Sequence, residues 1–253
     1  MTSRDPASDP VAGHAAASGQ PTPHTVEIWL YSLIEDDAAV DGMREILSAQ
    51  ERARAERLAH PDHKRRYIVA HARMRQILGL RVGRRPEDLA FCVSPDGKPY
   101  LAPETPKAVH FNLSHCADNA ALAICETAEV GVDIEAIRPV RDGFARRFFT
   151  AQEAEEIDAL PDDEQRPALF RCWTRKEAFL KATGEGIKRG LASFQVSLAP
   201  GEPACVIAIG GDAQAAKDWV LYDFCPAAGL AGAAALIAPD GVQFTIRELH
   251  TID

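Results

Sequence analysis

Apolar and polar residues alternate from Val26 to Leu33 (VEIWLYSL), the period of two that sends successive side chains to opposite faces of a strand. The period then lengthens. Apolar residues recur at helical spacing over about Met43–Leu58 and again over about Asp62–Leu80. Phe91–Val93 reads as a short strand, Asp96-Gly97 as a turn before Lys98-Pro99-Tyr100, and Val109–Leu113 with Ala120–Cys125 as a strand pair. Gly131–Glu135 is the next strand. Thr150 stands three residues before Glu153, a capping box that opens a helix. A longer helix is expected from about Glu164 to Thr183, with Gly184 as its C-terminal cap. Strands follow at Phe194–Leu198, Cys205–Ile209, Trp219–Phe224, Gly229–Ile237 and Gln243–Leu249.

The order strand, helices, run of strands thus occurs twice. It predicts an α+β protein of two similar halves, residues 25–130 and 131–253, with no clear repeat in the sequence itself. Residues 1–24 are rich in Ala, Ser, Pro and Gly, lack periodicity, and are expected to form a disordered tail.

Composition narrows the class. Of 253 residues, 46% are apolar and 26% charged, values that fit a globular chain and exclude collagen-like or disordered ones. No apolar run approaches the roughly 20 residues of a membrane span, and no charged and apolar leader opens the chain, so a cytoplasmic location is the expectation. The net charge of −9 disfavours nucleic acid as a partner. Its distribution is uneven: Arg52 to Arg85 holds eleven basic residues against Glu56 and Asp62. That segment is either a solvated arginine-rich helix face or a docking face for a polyanion. The six cysteines form no C-x-x-C pair and read as reduced, mostly apolar fillers.

Candidate chemistry begins at Gly131-Val132-Asp133-Ile134-Glu135. Period two places Asp133 and Glu135 on one strand face. They are either a solvent-facing polar edge or a pair of carboxylates that needs a cation. On the later helix, Phe170, Trp173, Glu177, Leu180 and Lys181 fall at helical spacing, with Trp173 read as core. Glu177 and Lys181 are i and i+4, either an ordinary surface pair or groups at the margin of the apolar stripe. Taken together, three carboxylates without Cys or His form a hard oxygen site that suits Mg²⁺, with Mn²⁺ next. A lysine one turn away could touch the same phosphate.

The chain resembles the 4′-phosphopantetheinyl transferases, in particular their larger type, which modifies carrier proteins of peptide and polyketide synthases. The likeness runs from about residue 26 to the C-terminus and rests on four blocks in order. They are Gly97-Lys98-Pro99, Phe111-Asn112-Leu113-Ser114-His115, Gly131–Glu135, and Trp173–Lys181 with Gly184 and Gly186. Val132 and Cys116 stand where isoleucine and serine are common in the family.

The resemblance implies transfer of the phosphopantetheine arm of coenzyme A to a serine of an apo carrier protein, with release of adenosine 3′,5′-bisphosphate and a requirement for Mg²⁺. It implies a two-half chain resembling a fused dimer, an arrangement that would allow a monomer. Asp133, Glu135 and Glu177 would hold the metal. Glu177 would be first choice as base, and Lys181 would contact the α-phosphate. Ser114 and His115, with Asn112 nearby, would meet the coenzyme's phosphates. Lys98 would follow a turn near the adenosine, and Arg54 would face the 3′-phosphate. Arg66 and Arg75 also fall on family arginines. The carrier would come from a polyketide, non-ribosomal peptide or fatty-acid synthase. The competing class is another Mg²⁺-dependent phosphate-ester enzyme, a hydrolase or nucleotidyl transferase, which would share the carboxylates without needing the Gly-Lys-Pro and Asn-Leu-Ser-His blocks.

Overall fold

A computed structural model describes residues 24–249. The tail expected over residues 1–24 therefore lies outside the described residues except for His24. The fold is α+β, as the sequence predicts. The first half runs β1 (His24–Ser32), α1 (Asp37–Ile46), α2 (Ala49–Glu56), α3 (Pro61–Val82), a hairpin of β2 (Phe91–Val93) and β3 (Pro99–Leu101), then β4 (His110–Cys116) and β5 (Asn119–Cys125). The second runs β6 (Val130–Ala136), α4 (Phe144–Phe148), α5 (Ala151–Asp158), α6 (Asp162–Thr183), β7 (Phe194–Val196) with β8 (Val206–Ile209), then β9 (Trp219–Phe224), β10 (Leu230–Ile237) and β11 (Val242–Leu249).

Two features differ from the expected elements. The single helix expected over Met43–Leu58 is two helices. Ser48 caps α2 by accepting from the Glu51 N–H while the Glu51 carboxylate accepts from the Ser48 N–H, so the chain turns at Leu47-Ser48. Pro99–Leu101, expected to follow a turn, pairs antiparallel with Phe91–Val93.

Four strands form one sheet in the order β11-β1-β5-β4, and three form another in the order β6-β10-β9. β11 is the exception to a simple division into halves: it crosses back and pairs parallel with β1, from His24↔Val242 to Tyr31↔Leu249. Three apolar cores follow from this arrangement. One packs α1 and α3 on the first sheet, with Val69, Leu78, Phe111 and Leu122 fully buried or nearly so. One packs α6 on the second half around Phe179, Leu180 and Phe194. The third lies between the sheets, where Val26, Ile28 and Ala123 meet Val132, Ile134 and Leu236. The halves therefore share a core.

The same brace recurs in each half. The capping-box Glu51 of α2 binds Arg75 on α3, whose guanidinium also donates to the Pro86 and Leu89 carbonyls at 2.9 and 3.0 Å. The capping-box Glu153 of α5 binds Lys176 on α6 at 2.8 Å, and that ammonium donates to the Leu191 and Phe194 carbonyls at 2.8 and 2.6 Å. Each brace locks a short helix, a long helix and the following loop together. The hydrogen bonds of Glu51 and its Arg75 neighbour outweigh its partial burial, and its pKa falls to about 2. Burial raises it first, and the bonds from His71, Arg75 and Ser48 overcome that.

The second brace is fully buried at both ends. Removing one partner of such a pair strands the other charge in the interior. Lys176→Met should therefore lower unfolding free energy by about 3–5 kcal/mol in urea titrations. A loss below ~1 kcal/mol would show that Glu153 needs no counter-charge.

Candidate functional site

Strand β6 is held on three sides. Along one edge it pairs with β10. Val132 and Ile134 face the shared core. The opposite face carries Gly131, Asp133 and Glu135 and lies on α6. At Gly131 the approach is so close that a Cβ would sit 2.0 Å from the Ala178 carbonyl oxygen and 2.4 Å from the Ala182 nitrogen. Only glycine fits there, and the contact brings the last turns of α6, with Glu177 and Lys181, against the carboxylates of β6.

The remaining edge of β6 faces β4, and no backbone ladder joins the two strands. Side chains take its place. Asn112 Oδ1 accepts the Val132 N–H at 2.9 Å, Ser114 Oγ accepts the Ile134 N–H at 3.3 Å, and Cys116 Sγ accepts the Ala136 N–H at 3.2 Å. Lys181 enters this seam. Its ammonium donates to Asp133 Oδ1 at 2.6 Å, Ser114 Oγ at 3.0 Å and the Val132 carbonyl at 3.1 Å. Ser114 in turn donates its hydroxyl proton to Asp133 Oδ1 at 3.0 Å. A hydroxyl has one donor and two acceptor positions, so Ser114 is saturated. A phosphate contact from it would exchange one of these bonds.

Asp133 is 4% exposed, and its second oxygen, Oδ2, is buried without any hydrogen-bond partner. An acceptor left bare in the interior is costly unless a cation meets it. Burial raises the Asp133 pKa, opposed by Lys181 and Ser114. Burial also raises the pKa of Glu135, and Asp133 adds to it. Glu177 behaves alike, raised by burial, then by Asp133 and, after opposition from Lys181, by Glu135. The three carboxylates therefore repel one another across a half-buried space. Among the described residues no three such groups are already closed into a metal cluster. Lys181 occupies one oxygen of Asp133 instead. The all-oxygen donor set and the bare Oδ2 fit Mg²⁺ or Mn²⁺.

The other expected contacts distribute around this node. His115 lies on the face of β4 opposite Ser114 and is exposed. Partial desolvation, then His71, Lys181, Arg66 and His63, hold its pKa below the usual histidine value. Of these neighbours His63, Arg66 and His71 are on α3 and Lys181 is on α6. Arg54 is exposed in the last turn of α2, 5.9 Å from the Tyr67 ring centre. Lys98 is held inward, by Glu129 at 2.5 Å and by the Val130 and Ala182 carbonyls at 3.1 and 3.4 Å. Arg66 pairs with Asp118 at 2.8 Å, and Arg75 is the brace described above. Trp173 packs among Phe144, Phe148 and Phe149, in line with its reading as core.

Two expectations need amending. The basic segment Arg52–Arg85 is mostly paired within the protein: Lys64, Arg65, Arg66, Arg73, Arg75, Arg81 and Arg85 all meet carboxylates. The cysteines are all free, but only Cys125 and Cys172 are buried, while Cys205 and Cys225 are exposed. Cys116, noted from the sequence only as a departure from the family's serine, is the residue that joins the site: besides its bond to Ala136 its thiol donates to Glu135 Oε2 at 4.0 Å. The signal for it was present, since Asn112, Ser114 and Cys116 alternate along β4 with apolar or aromatic neighbours. A cleft of about 370 Å³ beside α4 and α5, with Arg141, Arg146, Asp158 and Leu169 in its lining, contains none of these groups.

Comparison with known proteins points to one family. The family model of the 4′-phosphopantetheinyl transferase superfamily matches residues 129–228, the segment from before β6 to beyond β9. A 4′-phosphopantetheinyl transferase, HetI, of Nostoc sp. (strain PCC 7120) is 36% identical over 204 residues, 79% of this chain and 83% of that protein. Sfp of Bacillus subtilis (strain 168) is 30% identical over 154 residues, 60% of this chain and 66% of that one. AcpT of Escherichia coli (strain K12) is 46% identical over 90 residues, covering 35% of this chain and 45% of its own length.

Crowded carboxylates bind protons more tightly in the folded than in the unfolded chain, so their cost is present above their raised pKa values and relieved below them. Glu177→Gln should accordingly raise the melting temperature of metal-free protein at pH 7.5 by about 2–4 °C, roughly 1 kcal/mol. The advantage should shrink as pH falls through the raised pKa of Glu177. Thermal scans over a pH series descending from 7.5 check it, and a melting temperature at or below that of the parent at pH 7.5 contradicts it.

Proposed function

The chain belongs to the 4′-phosphopantetheinyl transferase superfamily, and from that premise we propose that it transfers the 4′-phosphopantetheine arm of coenzyme A to a serine of an apo carrier protein, releasing adenosine 3′,5′-bisphosphate. The observation that carries the reading is the node of Lys181, Asp133 and Ser114 with Glu135 and Glu177 beside it. It offers carboxylate oxygens for a hard cation and one ammonium for a phosphate, on the segment that defines the family.

Asp133, Glu135 and Glu177 would hold Mg²⁺, or Mn²⁺ in its place. When bound, the ion neutralises charge on the coenzyme A diphosphate. The chain's own groups do the rest. Lys181 balances negative charge on the departing α-phosphate and can supply it a proton. Glu177 takes the proton of the carrier serine, directly or through water, as that oxygen attacks the β-phosphate. Its raised pKa brings it nearer a useful base, and it makes turnover fall as pH drops through that value. Arg54 and His115 meet the 3′-phosphate from the α3 side, with Asn112 and Ser114 at the near edge and Lys98 behind the turn that approaches the adenosine. The core shared by both halves supports action as a monomer, and the cytoplasm is the location proposed for it. Carriers of polyketide, non-ribosomal peptide and fatty-acid synthases are the candidate acceptors.

Incubation with coenzyme A, Mg²⁺ and each class of apo carrier, followed by mass measurement of the carrier, should show a gain of one phosphopantetheine. No gain on any carrier, with hydrolysis of a phosphate ester instead, would assign the site to a hydrolase. Asp133→Ala and Glu177→Ala should each lower kcat by about 10²–10³ while circular dichroism stays that of the parent. Near-normal turnover in both would overturn the carboxylate assignment.

A further inference from the structure

We infer that Asn112, Ser114 and Cys116 act together as positioning residues that fix the metal-binding strand, with Cys116 setting Glu135; the inference rests on the function proposed above. The geometry is regular. Acceptors at alternate positions of β4 meet N–H groups at alternate positions of β6: 112 to 132, 114 to 134 and 116 to 136. The period of two is the same on both strands, so the side chains of one face of β4 stand in for a neighbouring strand. Without them three N–H groups on the free edge of β6 would need water or another chain.

The substitution of side chains for a ladder has a geometric effect. Backbone-paired strands stand about 4.8 Å apart, and strands joined through a side chain stand further apart. The wider seam admits the Lys181 ammonium to the Val132 carbonyl and to Asp133. The three rungs then divide the work. Asn112 fixes β6 ahead of Asp133. Ser114 fixes Asp133 and Lys181 together. Cys116 holds the Ala136 N–H just after Glu135, and its S–H points to Glu135 Oε2. A partner behind a metal ligand sets the ligand's orientation, and losing such a partner typically weakens metal binding by about 10–100-fold.

Two measurements that need neither carrier nor turnover test this. Amide hydrogen exchange is followed at Val132, Ile134 and Ala136, and Mn²⁺ binding by electron paramagnetic resonance with coenzyme A present. Cys116→Ala should speed exchange at Ala136 more than at Val132 and weaken Mn²⁺ binding about 10-fold. Asn112→Ala should reverse the exchange pattern, with Val132 the faster. Cys116→Ser, which restores an acceptor and a donor, should recover both parent values. Uniform faster exchange across the whole chain in Cys116→Ala would mean general destabilisation and overturn the inference. So would unchanged exchange at Ala136, or Mn²⁺ binding equal to that of the parent. Failure of the carrier assay alone overturns the proposed transfer and leaves the seam standing.

Discussion

The site exists because β6 lies directly on α6, and that contact exists because position 131 has no side chain. A methyl group there would overlap the Ala178 carbonyl and the Ala182 nitrogen. Backbone cannot yield as a flexible side chain can, so the strand would have to lift from the helix. Asp133 and Glu135 come from the strand, and Glu177 and Lys181 from the helix. Their meeting is therefore controlled by one interatomic clearance and not by their own attractions, which for the carboxylates are repulsive. The braces at Glu51–Arg75 and Glu153–Lys176 hold the two long helices in place behind this contact.

Much of this was legible in the residues. Thr150 and Glu153 announced α5, Gly184 ended α6 in the left-handed conformation, and Trp219–Phe224 is a strand with the bounds that alternation predicts. The spacing of Asp133, Glu135, Glu177 and Lys181 also carried over into proximity. What alternation and helical periodicity do not encode is pairing across distant segments. They report which face of a strand is apolar, not which strand lies beside it. Hence the return of β11 to β1 and the meeting of β4 with β6 came only from the fold. The break at Ser48 was readable as a capping box and lay hidden inside a longer apolar period.

Charge shows the same limit. A linear count separates a strongly basic segment from an acidic remainder, yet folding pairs most of those arginines with acids from elsewhere in the chain. Arg73 meets Glu35 and Arg81 meets Glu27. Arg54, exposed at the end of α2, and His115, exposed on β4, lie outside those pairs.

The two sheets repeat one strand order: β1-β5-β4 in the first and β6-β10-β9 in the second. By that correspondence β1 is the counterpart of β6, and each has an inner edge bonded within its own sheet. Their outer edges have different fates. β11 closes the edge of β1 with a full parallel ladder, whereas the edge of β6 is left to the side chains of β4 and to Lys181. The matching strand orders thus part at one edge: among the described residues the side-chain seam forms along β6, while a backbone ladder covers the corresponding edge of β1.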